Sequence, residues 1–67
     1  MSMISQERMD TIGTYMDDDI REQVHGELAP CTPEEFLIRY TKLDTDFEDL
    51  LWSEFRIDMD DILDVAA

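Results

Sequence analysis

Basic residues are scarce in this chain: five Lys and Arg stand against eighteen Asp and Glu among 67 residues, a formal charge of -13 at pH 7. Such a surface repels nucleic-acid phosphates and anionic membranes and draws in basic partners. Cysteine occurs once, at Cys31, so no internal disulfide can form. With His25 the only histidine, no Cys/His cluster offers a structural metal. Gly13 and Gly26 are the only glycines, too few for a phosphate-cradling loop. No apolar run approaches the ~18 residues of a membrane span. The first residues, Met1 to Arg8, lack the basic stretch and apolar run of a signal peptide. These absences point to a cytoplasmic protein with no cofactor, no membrane contact and no direct contact with nucleic acid.

What is present suffices for one small core. Leu, Ile, Val and Phe make up about a quarter of the residues, above the roughly one-fifth typical of disordered chains. A chain this short buries only about 60% of its unfolded surface, so stability is modest and a second copy could add core. The whole chain, 1–67, reads as a single acidic helical domain.

Met9, Ile12, Met16, Ile20 and Val24 recur at steps of three and four, a stripe about 120° wide on an amphipathic helix. One long helix from Ser5 to Leu28 is the first expectation, with Ser5 as N-cap. The alternative is two helices divided near Gly13, the second capped among Asp17, Asp18 and Asp19. Pro30 ends the segment and pushes Ala29 from helical angles. Thr32-Pro33-Glu34-Glu35 opens a helix by cap, N1 proline and capping box. That helix is expected to bury Phe36, Leu37, Tyr40 and Leu43. Another start at Asp44-Thr45-Asp46 leads into Phe47, Leu50, Leu51 and Phe55. After a turn at Arg56-Ile57, Asp58 is expected to cap a last helix burying Met59, Ile62, Leu63 and Ala66. The fold class is all-α, a small bundle of about four helices, alone or as a dimer.

Eighteen carboxylates demand a test for catalysis and metal binding. Glu22-Gln23-Val24-His25 has the spacing of a di-iron motif, but that site needs a second copy facing inward, and here both residues lie opposite the apolar stripe. Asp44-Thr45-Asp46-Phe47-Glu48 opens like a calcium loop, yet Asp49 stands where the turn glycine belongs and Phe55 where the bidentate Glu belongs. Nothing places His25 beside Cys31 as a base for a nucleophile. The chain offers no catalytic residues and is not expected to be an enzyme.

The surface carries the remaining signal. Acids cluster at Asp17, Asp18 and Asp19; at Asp44, Asp46, Glu48 and Asp49; and at Asp58, Asp60, Asp61 and Asp64. The bland account is a solvated shell whose members cap helices. Solubility of a small domain, however, needs a net charge of only about 2–8. Acids one helical turn apart stand ~5–6 Å from each other, comparable with phosphates along a strand, so a rigid acidic face could occupy a groove built for DNA or RNA. Trp52 projects between Glu48 and Asp49 on the polar side of its helix, and Ile38 sits at the edge of the preceding one. An exposed Trp there would be a contact hot spot, although packing on a neighbouring helix is the favoured expectation.

The stretch from Asp19 to Leu37, DIREQVHGELAPCTPEEFL, resembles the small acidic proteins of phages and conjugative elements of low-GC Gram-positive bacteria. The resemblance covers about half of the chain and carries no diagnostic motif. It implies an inhibitor of the anti-restriction or anti-CRISPR type, some of which are DNA mimics. The expected partner is a basic, nucleic-acid-binding protein, met through the three acid clusters and Trp52. The competing expectation is a helical adaptor or homodimer that uses an apolar patch around Trp52.

Overall fold

A computed structural model describes residues 4–28 and 31–66. Five helices follow one another: α1 (Gln6–Gly13), α2 (Asp18–Leu28), α3 (Pro33–Leu43), α4 (Phe47–Phe55) and α5 (Met59–Ala66). Among the described residues there is no strand, which agrees with the all-α expectation. The extra helix comes from the first segment, where two helices replace the single long one expected. Hydrogen bonds of Thr14, Tyr15 and Met16 to carbonyls three residues back tighten the end of α1. Asp17 then restarts the chain: its Oδ1 accepts from the N–H groups of Asp19 and Ile20 at 3.0 and 3.2 Å. A local cap thus outcompetes continuation of the helix, at the alternative break point. The apolar stripe survives the break, since Ile12, Met16 and Val24 are all buried.

Short-range signals set the other starts. Ser5 Oγ accepts from Arg8 N–H at 3.1 Å, and Thr32 Oγ1 accepts from Glu35 N–H at 3.2 Å, with Pro33 opening α3. Asp58 Oδ1 accepts from Asp60 N–H at 2.9 Å and caps α5. The turn at Arg56-Ile57 closes α4: Arg56 adopts a left-handed conformation (φ 54°), and Ile57 N–H reaches back to Leu51 carbonyl at 3.1 Å. Buried Leu51 and Ile57 flank it, the apolar pairing of a Schellman motif. The expected punctuation at Ala29 and Pro30 lies outside the described residues.

α3 is the hub, packed by α2 and by α5. Its Phe36, Leu37 and Tyr40 are buried, and Tyr40 meets the Phe47 ring edge-on at 4.7 Å. Tyr40 also ties the break to the core. Its hydroxyl accepts from Asp17 N–H at 2.7 Å and donates to Asp44 Oδ2 at 3.2 Å. Three burial expectations require correction. Leu43 and Leu63 are exposed, and Trp52 is 53% exposed rather than packed on a neighbour. Helices of eight to eleven residues on so small a core cover only the middle of each stripe, so residues at stripe edges and helix ends reach water. Met59 and Ile62 are buried as expected, while the side chain of Ala66 lies outside the described residues.

Candidate partner-binding surface

Four of the five bases, the arginines, are held in ways that leave most of the acids untouched. Arg8 donates to the Phe55 carbonyl, and Arg21 Nη1 donates to the Gly13 carbonyl at 3.2 Å; each carbonyl closes a helix, α4 and α1. Arg56 places its guanidinium 5.4 Å from the centre of the Trp52 ring. Arg39 meets a carboxylate, that of Glu27, at 3.0 Å. Two of the bases thus serve helix C-termini, where backbone carbonyls carry partial negative charge.

Six of the clustered acids occupy the opposite helix ends. Asp18 and Asp19 stand in the first turn of α2, Glu48 and Asp49 in that of α4, and Asp60 and Asp61 in that of α5. All six are exposed, as are Asp17, Asp46, Asp58 and Asp64; Asp44 is half-buried under the Tyr40 hydroxyl. Asp46 precedes α4 without a side-chain cap, so its carboxylate serves no hydrogen bond there. Burial is the main cause of a Tyr40 phenol pKa above its usual value, and the bond to the Asp44 carboxylate adds to it.

Two of the three clusters converge. Glu48, Asp49, Trp52, Ile57, Asp58, Met59 and Asp60 line one groove of about 290 Å³, with the exposed Trp52 among four carboxylates. Asp17, Asp18 and Asp19 lie outside this groove, as do Asp44, Asp46, Asp61 and Asp64. Among the described residues no group of three or more His, Cys, Asp or Glu is placed to hold a metal ion. Among them, too, no helix is long and apolar enough to cross a membrane.

A second groove, of about 350 Å³, was missed in the sequence. Met9, Asp10, Gly13, Met16, Arg21, Glu22, His25 and Phe36 line it. Glu22 and His25 are exposed, as their place opposite the stripe implied, yet they stand on its lip, with the His25 ring 6.2 Å from that of Phe36. The two-helix alternative held the available signal, because separating α1 from α2 at Gly13 is what opens this space.

The family model described as anti-CRISPR protein AcrIC5 matches residues 5–43, more than half of the chain. No curated protein and no solved structure matches.

Proposed function

Because the chain belongs to the AcrIC5 family of anti-CRISPR proteins, we propose that it inhibits CRISPR immunity without catalysis, by laying its acidic face on the basic nucleic-acid-binding surface of a Cas protein. The carrying observation is the state of the charges. Eighteen acids face five bases, and the acids of the three clusters form no ion pair with any described residue. The acids project from three helix N-termini held by one core, so their spacing is fixed before binding. A protein evolved to grip phosphates meets such a face with complementary charge, which speeds encounter and makes affinity fall with salt. The carboxylates then stand where phosphates would, and the inhibitor competes with DNA or RNA.

The test is charge reversal at one cluster in an inhibitor shown to block interference by a defined CRISPR–Cas system. Asp46→Lys, Glu48→Lys and Asp49→Lys together should weaken binding to the Cas target more than tenfold at low salt, with helicity confirmed by circular dichroism. Added DNA should displace the wild-type protein. Unchanged affinity in the folded variant would sink the proposal.

The exposure of Trp52 favours a second reading, an adaptor or homodimer that docks through the apolar part of its groove. In that case Trp52→Ala costs more affinity than any single Asp→Ala, and the complex resists salt.

A further inference from the structure

Resting on that acidic-inhibitor reading, we infer that the groove between α1, α2 and α3 receives one long basic side chain, a lysine or arginine, of the Cas target. The floor is apolar: Met16 and Phe36 are buried and Met9 partly so. Methionines adapt their shape to an incoming chain. The lips are negative. Asp10 comes from α1 and Glu22 from α2, both exposed and neither in an ion pair. Of the two basic residues in the lining, Arg21 is turned onto the Gly13 carbonyl and His25 stands beside the Phe36 ring. Lysine and arginine lay aliphatic stems on apolar surface and keep the charged head among polar groups, so an apolar floor under two carboxylates suits them in both parts. An uncharged apolar side chain would leave the lip charges unused.

The location strengthens the case. All eight lining residues fall within 5–43, the stretch that the family model matches, whereas the groove around Trp52 lies wholly beyond it. The shared part of the chain therefore contains this groove and only the first of the acid clusters. Gly13 keeps the space open. A Cβ there would meet Arg21 Nη1 at 3.6 Å, ordinary contact, so alanine fits the fold and narrows the groove.

The experiment measures affinity for the Cas protein or complex whose interference the wild-type chain blocks. Three variants are compared: Asp10→Asn with Glu22→Gln; Glu7→Gln with Glu54→Gln, an equal charge change at exposed sites elsewhere; and Gly13→Ala. The lip pair should lose at least tenfold in affinity and the control pair less than threefold. Gly13→Ala should bind more weakly while melting no lower than wild type, because alanine favours the helix. A lip pair that binds like the control pair overturns the inference while salt-sensitive binding leaves the acidic-inhibitor reading standing. Salt-insensitive binding, or no inhibition of any CRISPR–Cas strain by wild type, overturns both.

Discussion

Removing a single oxygen from Tyr40 tests how the helix break is held. The ring is fully buried and meets Phe47 edge-on, contacts that phenylalanine would keep. Tyr40→Phe therefore isolates the hydroxyl, which serves Asp17 N–H at 2.7 Å and Asp44 Oδ2 at 3.2 Å. Half-buried Asp44 can turn to water. The part-buried N–H of Asp17 loses its partner, and an orphaned donor of this kind costs about 1–3 kcal/mol. Taking about 2 kcal/mol, the melting temperature of so small a domain should fall by roughly 8–16 °C. The pH dependence follows from the same burial. Because the folded phenol titrates above its ordinary value, the folded state holds this proton more tightly than the unfolded chain does. Its contribution is full below about pH 10 and is lost as pH rises through the higher folded value. Melts by circular dichroism near neutrality and across the alkaline range would show both effects in wild type and a shallower alkaline decline in the variant. A variant that melts within about 2 °C of wild type at neutral pH would refute the reasoning.

Salt should act in opposite directions on folding and binding. Raising it from about 0.1 to 1 M shortens the screening length from about 10 to 3 Å, which relieves self-repulsion and weakens a charge-driven complex. The melting temperature should rise while the complex dissociates, and a fall in both would contradict the uncompensated surface described above. Cys31 supplies a different probe. Burial first, and then the charge of Glu35, push its thiol pKa up. Alkylation near pH 8 should be slower in the native chain than in urea, and equal rates would refute that placement.

Much of the architecture was written in short-range chemistry. Ser5, Thr32 and Asp58 act within four residues of themselves, so their caps needed no tertiary knowledge. The stripe from Met9 to Val24 predicted which face turns inward but not that the backbone breaks, because both arrangements bury the same face. What decides is Asp17, whose side chain satisfies the first N–H groups of α2 while Tyr40, 23 residues away, holds its own N–H. Leu43 and Leu63 were misplaced for a related reason: periodicity gives a direction, whereas burial depends on how far the neighbouring helix extends. Trp52 was misplaced because tryptophan's usual burial was weighed above its position on the polar side of α4. The acid clusters were visible as composition, yet the meeting of Glu48 and Asp49 with Asp58 and Asp60 beside Trp52 depends on the turn at Arg56.

That turn and those caps explain how a chain of charge -13 folds without hiding its charge. Acids in the first turns of α2, α4 and α5 interact favourably with the helix dipole, each by about 0.3–1 kcal/mol, and this offsets part of their mutual repulsion. Arg8 and Arg21 satisfy the carbonyl ends of α4 and α1. Ion pairs across the surface would have stabilised the fold as well, but each would have withdrawn a carboxylate from a partner. The arrangement has a consequence for mutagenesis. Reversing a first-turn acid removes a favourable dipole interaction together with a binding contact, so affinity must be measured on the folded fraction. Asp10 and Glu22 escape this coupling, since each is the fifth residue of its helix and neither pairs with a base. Asp10 Oδ1 does accept from Gln6 Nε2 at 2.9 Å within α1, so a loss of affinity at that pair reports on the interface once an unchanged melting temperature shows α1 intact.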